Sequence, residues 1–353
     1  MTVLKLGSLF DGIGVFPLAA IHCGIEPVWA SEIEARPISI TRRHFPDMLH
    51  LGDITKISGA EIPPVDVITF GSPCQDLSQI GTRNGFAGKK SSLFYQAMRI
   101  IEEMRYATNG RYPAFCIWEN VAGAFSSNDR LDFAAMLRAF TGAEVSVPPR
   151  GWAHAGMVRG GCADTAWRLL DAQYWGEPAL VQRRKRVFVV ADFAGQRAGE
   201  VLFKPRTVLP FSAIGGPGGL PATARGGVSA AQTGRQVPIV RPFSLRRMRT
   251  MAQVGDQKGF CASFGRGGEP FPTLLASVTA PFSFWYEGEE QDGFLRVLTP
   301  LECERLMGLP ENWTKYGCKD EEISDHARYR ALGNSIALPC AEYVMAGIAE
   351  VMN

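Results

Sequence analysis

The order of apolar and polar positions divides the first 192 residues into alternating strand-like and helix-like segments. Unbroken apolar runs predict five strands, at Val3–Phe10, Pro27–Ser31, Val65–Phe70, Ala114–Trp118 and Val187–Asp192. Apolar residues at helical spacing predict four helices between them, at Pro17–Cys23, Leu93–Met104, Leu131–Phe140 and Thr165–Tyr174. This alternation predicts an α/β fold built on a doubly wound, mostly parallel sheet.

The composition and the periodicity of the chain change after Asp192. Residues 193–290 are rich in Gly, Pro, Ser and Thr and lose regular periodicity, which predicts a second, loop-rich domain. A helical pattern then returns, with Thr299 as N-cap, Pro300 as first helical residue and Glu302 as the acid of a capping box. A last apolar helix is predicted from about residue 336 to about residue 351. We therefore expect a first domain at 1–192, a second at 193–290, and a C-terminal part, 291–353, that returns to the first.

Composition and charge are those of a soluble globular protein, with 46% hydrophobic and 20% charged residues among 353. No apolar stretch reaches the length of a membrane-spanning helix, and the N-terminus lacks a signal-peptide layout, so we expect a cytoplasmic protein without membrane contact. The net charge of +2 is too mild to indicate nucleic-acid binding, and any such surface must be local. The eight cysteines are scattered without Cys-x-x-Cys pairs, so we expect no metal site and no disulfide framework.

Two reactive side chains follow predicted strands. Cys74 comes just after the strand ending at Phe70, and Glu119 directly follows the strand ending at Trp118. Ligands of open α/β sheets bind at the carboxyl ends of strands, so a thiol and a carboxyl there are able to face one substrate. Thiolate attack with proton donation by the carboxyl is a plausible pairing. A free cysteine is more often a buried small hydrophobe, but the Pro, Gln, Asp and Ser around Cys74 favour chemistry.

The loop Phe10-Asp11-Gly12-Ile13-Gly14 ends the first strand and precedes a helix. Its glycines allow a ligand to approach the backbone, although a tight turn alone would explain them, and the spacing is wrong for a dinucleotide motif. Glu32, at the end of the second strand, is placed to bond a ribose, and Asp53 an adenine amine. Each acid alone reads equally well as a solvated carboxylate, but their order along the sheet predicts a nucleoside pocket.

Two basic groups interrupt this otherwise mild charge distribution. One precedes the last strand of the first domain, in Gln182-Arg183-Arg184-Lys185-Arg186, and the other lies in the loop-rich region, at Arg241, Arg246, Arg247 and Arg249. Such groups are usually solvated faces. Here they are also placed to flank a nucleic-acid cleft and to supply a local electrostatic footprint.

Taken together, six motifs resemble those of the cytosine-C5 DNA methyltransferases, in that family's order and over nearly the whole chain outside 193–290. Any one of them is weak, but six at suitable spacing are highly specific. They are Phe10-Asp11-Gly12-Ile13-Gly14, Gly71-Ser72-Pro73-Cys74-Gln75, Glu119-Asn120-Val121, Gln182 with Arg184 and Arg186, Leu298-Thr299-Pro300-Leu301-Glu302-Cys303, and Gly333-Asn334-Ser335-Ile336.

The resemblance implies an S-adenosylmethionine-dependent, Rossmann-like methyltransferase whose residues 193–290 recognise the DNA target. It implies that Cys74 attacks C6 of a flipped cytosine, that Glu119 engages N3 and the exocyclic amine, and that Arg186 holds O2 with Arg184 nearby. S-adenosylmethionine is the implied cofactor, with Phe10 near adenine, Glu32 at the ribose and Asp53 at the adenine amine. Its full set of implied contacts is Phe10, Asp11, Gly12, Ile13, Gly14, Glu32, Ile33, Asp53, Ile54, Pro73, Asn334 and Ser335.

The implied macromolecular partner is double-stranded DNA, bound by a monomer, and a cognate restriction endonuclease is compatible with the family. The implied DNA or base contacts are Gln75, Ser78, Asn120, Gln182, Arg246, Arg247 and Thr273. The chain departs from the family pattern at Val15, where relatives often carry glycine, and at Ala179-Leu180-Val181, which lengthens the approach to Gln182. Three alternatives stay open: a methyltransferase acting on RNA, a catalytically idle DNA-binding protein and, more remotely, a nicotinamide dehydrogenase.

Overall fold

An eight-stranded mixed sheet forms the centre of the protein in the computed structural model, which describes residues 3–72, 93–204, 239–242, 271, 273–274, 282–286 and 293–353. The strand order is β3-β2-β1-β4-β5-β8-β7-β6. The strands are β1 Lys5–Leu9, β2 Glu26–Ser31, β3 Leu49–His50, β4 Val67–Phe70, β5 Phe115–Val121, β6 Ala155–Arg159, β7 Asp164–Asp171 and β8 Lys185–Asp192.

Helices cover both faces of this sheet. They are α1 Val15–His22, α2 Ala35–His44, α3 Leu93–Ala107, α4 Leu131–Thr141, α5 Ala198–Leu202, α6 Pro300–Leu306, α7 Asp325–Asn334 and α8 Leu338–Met352. One apolar core includes residues of α1, α6 and α8, and the other includes residues of α3 and α4. Among the described residues no single helix is long and apolar enough to cross a membrane, and only the bent pair α7–α8 passes that test on combined length and composition.

The strand order reverses beside β1, which pairs in parallel with β2 on one side and with β4 on the other. β5 continues the parallel set, whereas β8, β7 and β6 follow it in antiparallel pairing. The connection after β1 therefore leads to β2 on one side of β1, and the connection after β4 leads to β5 on the other side. Such reversal points are where open α/β sheets bind ligands.

The five predicted strands and the predicted mostly parallel sheet are present, but the helix predicted at Thr165–Tyr174 is wrong. Residues 164–171 form β7, which lies between β6 and β8 and is buried for most of its length. A strand covered on both faces carries apolar residues without strict alternation, so its pattern imitates a helix. Glu119 also lies within β5 rather than after it, because that strand continues to Val121. The sequence pattern also missed β3, β6, α2, α5 and α7.

A separate three-stranded antiparallel sheet is built from β9 Ile239–Pro242, β10 Phe282–Tyr286 and β11 Gly293–Val297. The C-terminal helices pack on the main sheet's helices, and α8 lies against α1 and α5. The division of the chain at 192 and 290 stays a prediction.

The C-terminal part is fixed by a buried ion pair beneath a capped helix. Thr299 and Glu302 form the predicted capping box of α6. In the same helix, the fully buried Glu304 carboxylate accepts hydrogen bonds from the Arg328 guanidinium at 3.0 Å and from the Thr314 backbone at 2.9 Å. Its other oxygen accepts from the Asn312 backbone at 2.8 Å. Every oxygen of this buried charge thus has a donor, which is the condition under which such pairs persist.

Replacing Glu304 with alanine should lower the free energy of unfolding by about 3–5 kcal/mol, because Arg328 would keep a buried charge without its carboxylate. Urea unfolding followed by circular dichroism measures the change. Glu311→Ala is the matched control, since it breaks the exposed pair of Glu311 with Arg305 and should cost at most about 1 kcal/mol. Equal losses in the two variants would show that the Glu304 network adds no stability.

Candidate functional site

The loop after β1 is shaped by left-handed backbone. Phe10 has a φ of 54°, Gly12 of 58° and Gly14 of 78°. A Cβ on Gly14 would lie 2.7 Å from a ring carbon of Phe45, so a side chain is excluded there by both contact and conformation. A Cβ on Gly12 would meet nothing within 4 Å. The loop thus turns tightly onto α1 and leaves open space at Gly12, as close approach of a ligand requires.

Glu32 ties the ends of β1 and β2 together. Its Oε2 accepts a hydrogen bond from the Gly12 backbone at 3.0 Å, and its Oε1 accepts from the backbone of Ile33 at 2.7 Å and Glu34 at 3.0 Å. Next to it the Ile33 side chain is 73% exposed, which is unusual for a large aliphatic group. An exposed apolar side chain beside an anchored carboxylate suits a ligand with a flat apolar part and a polyhydroxyl part.

Asp53 holds the next loop along the sheet. Its Oδ1 accepts from the Thr55 backbone at 2.9 Å and from the Thr55 hydroxyl at 2.8 Å, and these bonds lower the pKa of Asp53. They also cap the short helix that begins at Ile54. The Ser31 hydroxyl donates to the Gly52 carbonyl at 2.7 Å and joins this loop to β2. Three predicted cofactor loops therefore meet at one edge of the sheet.

Asp11 carries a buried carboxyl that lacks a partner among the described residues. Neither oxygen is solvent-accessible or hydrogen-bonded, although the Ser8 hydroxyl lies near enough to influence the charge. Burial raises the pKa of Asp11 from its usual 3.8 to about 7, with Glu32 adding to the rise and Ser8 opposing it. A buried polar group left unpaired is costly, so this carboxyl is suited to a cationic or donor group of a ligand.

The catalytic acid predicted at Glu119 forms an ion pair across two antiparallel strands. Nε of Arg186, at the start of β8, lies 3.0 Å from Oε1 of Glu119 in β5. Glu119 is only 8% exposed, and this burial raises its pKa, while Arg186 and then Arg184 lower it. A Cβ on Gly71 would be 3.2 Å from Oε2 of Glu119, so the carboxyl adjoins the chain that leaves β4. The raised pKa makes this carboxyl a better proton donor at a given pH than an exposed glutamate.

β5 also fixes the first residues beyond β4. The Asn120 amide donates to the Ser72 carbonyl at 3.1 Å, and the Trp118 indole donates to the Ser72 hydroxyl at 3.1 Å. Asn120 is buried, and its Oδ1 accepts from the Val121 backbone at 2.8 Å. The predicted nucleophile Cys74 is two residues further along the chain and lies outside the described residues. The same holds for the predicted contacts Pro73, Gln75, Ser78, Arg246 and Arg247.

The basic group at 182–186 is divided between surface and interior, because Arg183 and Lys185 are exposed whereas Arg184 is buried. Gln182 is fully buried, and its amide lies 3.5 Å from the Leu306 carbonyl. Arg184 is 1% exposed, and its guanidinium donates to the carbonyls of Leu274, Gly333 and Ser335. Thr273 contributes a hydroxyl that donates to the Arg183 carbonyl at 2.6 Å. The substrate contacts predicted for Gln182 and Thr273 stay predictions, and in the structure Arg184 braces the backbone.

The C-terminal motif completes the same edge. Asn334 ends α7 and Ser335 is its C-cap, and the Arg184 bonds to Gly333 and Ser335 hold this turn in place. Trp313, which the sequence reasoning missed, donates its indole N–H to the Ile13 carbonyl at 2.9 Å. Asp171, also missed, accepts from the Arg184 backbone at 3.0 Å. Separations of 300 and 13 residues left no local sequence signal for either contact.

Val15, the departure noted in the cofactor loop, opens α1. Its side chain is buried in the core that α1 shares with α8. The substitution therefore contributes to packing on the inner side of the helix.

Comparison with known proteins identifies relatives over most of the chain. Residues 4–203 and 243–350 match the family model described as C-5 cytosine-specific DNA methylase. A protein of Escherichia phage P1 named DNA N-6-adenine-methyltransferase is 24% identical over 98% of this chain and 61% of its own, so the chain spans less than two thirds of that relative. Type II methyltransferase M1.ScrFI of Lactococcus lactis subsp. cremoris is 26% identical over 99% of this chain and 78% of its own.

The solved structure of Dnmt2 methyltransferase from S. pombe superposes with a TM-score of 0.59 over 100% of both chains, at 16% identity. At that identity the likeness concerns the fold alone. Together with the observed sheet, it confirms the predicted Rossmann-like methyltransferase fold.

The pH dependence of stability should reveal Asp11. Between about pH 4 and about pH 7 the folded protein keeps the Asp11 proton that the unfolded chain has lost, so stability should fall as the pH rises through this window. The fall attributable to Asp11 amounts to at most about 4 kcal/mol, and Asp11→Asn should remove it. Urea unfolding of both proteins at about pH 5 and about pH 8 measures the difference, in which other titrating groups cancel. Parallel losses in the two proteins would contradict the raised pKa.

Proposed function

Because the chain belongs to the C-5 cytosine-specific DNA methylase family, we propose that it methylates C5 of a cytosine flipped out of duplex DNA, using S-adenosylmethionine. The observation that carries this proposal is the buried Glu119–Arg186 pair beside Gly71 and Ser72, where the chain leaves β4 towards Cys74. An acid of raised pKa, fixed by an arginine and next in space to the segment that leads to a cysteine, suits covalent activation of a base.

The loops at the reversal point fit the cofactor. Gly12 leaves open space, Glu32 and Asp53 are anchored acids at the ends of neighbouring strands, and the unpartnered Asp11 carboxyl suits a cationic amino-acid group. We assign the adenosine part to Phe10, Glu32, Ile33, Asp53 and Ile54. The methionine part is assigned to Asp11, Gly12, Ile13, Gly14, Pro73, Asn334 and Ser335. When bound, S-adenosylmethionine supplies an electrophilic methyl group on a positively charged sulfur.

The residues of this chain divide the reaction into two easier steps. C5 of cytosine is a poor nucleophile until a bond forms at C6, so the Cys74 thiolate attacks C6 while Glu119 gives a proton to N3. Arg186 orients Glu119 and holds the O2 atom of the base. C5 then takes the methyl group and loses its proton to a base. As the bond between C6 and Sγ breaks, N3 returns its proton to Glu119, which restores the ring, the thiolate and the acid. The target must leave the base stack, since C6 is unreachable within the duplex.

Partners and setting follow from the same assignment. Duplex DNA is the proposed acceptor, read by residues 193–290, and the type II relative favours a cognate restriction endonuclease in the same host. A monomer in the cytoplasm is the proposed working form. An RNA acceptor and a catalytically idle DNA-binding protein are the alternatives that the next experiment separates.

Expression in a host without DNA methylation, followed by base-resolution mapping of its genome, tests the proposal. We expect 5-methylcytosine at one short sequence motif, and none in a Cys74→Ala control expressed at the same level. N6-methyladenine in place of 5-methylcytosine would contradict the proposal and agree with the name of the phage P1 relative. Methylation of host RNA alone would select the RNA acceptor, and no modification with retained DNA binding would select the idle protein.

Glu119→Gln should lower the rate of methyl transfer by about 10²–10⁴-fold, because a fixed amide cannot share a proton with N3. Single-turnover transfer of tritiated methyl to a duplex carrying the mapped motif measures this rate. Glu26→Gln is the matched control, since Glu26 is an exposed carboxyl at the amino end of β2, away from the carboxyl ends where the site lies. Wild-type turnover in Glu119→Gln would remove the acid from the mechanism.

A further inference from the structure

Short-range hydrogen bonds join the approach to β8 with Phe271 and Thr273, which belong to the region assigned to DNA recognition. The Arg183 backbone donates to the Phe271 carbonyl at 2.7 Å, and the Phe271 backbone donates to the Val181 carbonyl at 2.7 Å. The Thr273 hydroxyl extends the contact to the Arg183 carbonyl at 2.6 Å. Phe271 and Thr273, near the C-terminal end of the recognition region in sequence, are therefore hydrogen-bonded to the residues that lead into the strand of Arg186.

The Arg184 guanidinium extends these contacts to the cofactor motif. Nη1 donates to the Leu274 carbonyl at 2.9 Å, whereas Nη2 donates to the Gly333 carbonyl at 2.8 Å and to the Ser335 carbonyl. The backbone of Arg184 is itself held, because its N–H donates to the Asp171 carboxylate at 3.0 Å. One side chain thus contacts both the recognition segment and the turn that contains Asn334.

Burial makes these two contacts depend on each other. Arg184 is 1% exposed, no carboxylate hydrogen-bonds its guanidinium among the described residues, and burial lowers its pKa to about 9. If either set of carbonyls moves away, a buried cation loses acceptors that water does not replace, which is strongly unfavourable. The position of Leu274 is therefore energetically linked to the positions of Gly333 and Ser335.

We propose that Arg184 is a positioning residue that couples cofactor binding at Asn334 and Ser335 to the DNA-recognition residues Phe271, Thr273 and Leu274. Binding at either site favours the arrangement in which the carbonyls of Leu274, Gly333 and Ser335 all accept hydrogen bonds from the Arg184 guanidinium. Each ligand therefore raises the affinity of the protein for the other ligand. The proposal rests on the proposed function for the identity of the two ligands. Coupling between binding sites is reciprocal, and an effect of about 5–150-fold is typical.

Hydrogen–deuterium exchange of the full-length protein with S-adenosylhomocysteine tests the coupling without methyl transfer or DNA. In the wild type we expect the ligand to slow exchange near 333–337 and also at Phe271. In Arg184→Lys the ligand should still slow exchange in the loop after β1, but the effect at Phe271 should disappear, because one ammonium cannot serve three carbonyls in this geometry. Arg183→Lys is the matched control, since Arg183 is exposed and adjacent, and it should behave as the wild type.

Thr273→Val provides a second variant in which Arg184 is intact, for the case that Arg184→Lys does not fold. Titration with S-adenosylhomocysteine, with and without a duplex carrying the mapped motif, should give about 5–150-fold tighter binding with DNA in the wild type and a smaller factor in Thr273→Val. Binding of the ligand with no slowing of exchange at Phe271 in the wild type, or equal slowing in Arg184→Lys, would overturn the coupling. Failure of the wild type to bind S-adenosylhomocysteine at all would instead contradict the proposed function.

Discussion

The antiparallel pairing of β5 with β8 is the interaction on which the site depends. It runs from Phe115 opposite Asp192 to Val121 opposite Arg186 without a shift in register. This register brings Arg186 within ion-pair distance of Glu119, although the two lie 67 residues apart in the chain (186 − 119). The same strand β5 carries Asn120, whose amide donates a hydrogen bond to the Ser72 carbonyl. Arg184 directly precedes the paired residues of β8. A slip of one residue would turn these side chains to the opposite face of the sheet.

Buried charges in this protein fall into two groups that differ in how completely they are paired. Glu304 receives donors on both oxygens and contacts Arg328, as expected for a group that supports structure. Asp11 has no partner on either oxygen among the described residues, and Oε1 of Glu119 is near Arg186 without hydrogen-bond geometry. Burial raises the pKa of both of these incompletely paired acids. Perturbed acids of this kind are typical of functional sites, which is why the proposal places a ligand or substrate beside them.

Local rules account for what the sequence predicted well. The glycines after β1, the capping box at Thr299 and the apolar strands all depend on a few neighbouring residues, and each is found in the structure. The helix wrongly predicted at Thr165–Tyr174 shows the limit, because burial of β7 on both faces removes the alternation that distinguishes a strand. The internal position of Arg184 and the contact of Trp313 with Ile13 depend on distant residues. A basic run in a sequence indicates an exposed surface. Only the fold shows that Arg184 is buried and donates to carbonyls from distant parts of the chain.

The link between Trp313 and Ile13 also bears on how the loop after β1 folds. The carbonyl of Ile13 in this loop accepts a hydrogen bond from an indole N–H that lies 300 residues later in the chain. The helix α1 that follows this loop packs against α8, at the other end of the chain. Contacts of such large sequence separation form slowly, because the entropy of the intervening chain must be lost before they stabilise the fold. The loop after β1 therefore gains its full set of contacts only when two segments from distant parts of the chain have met.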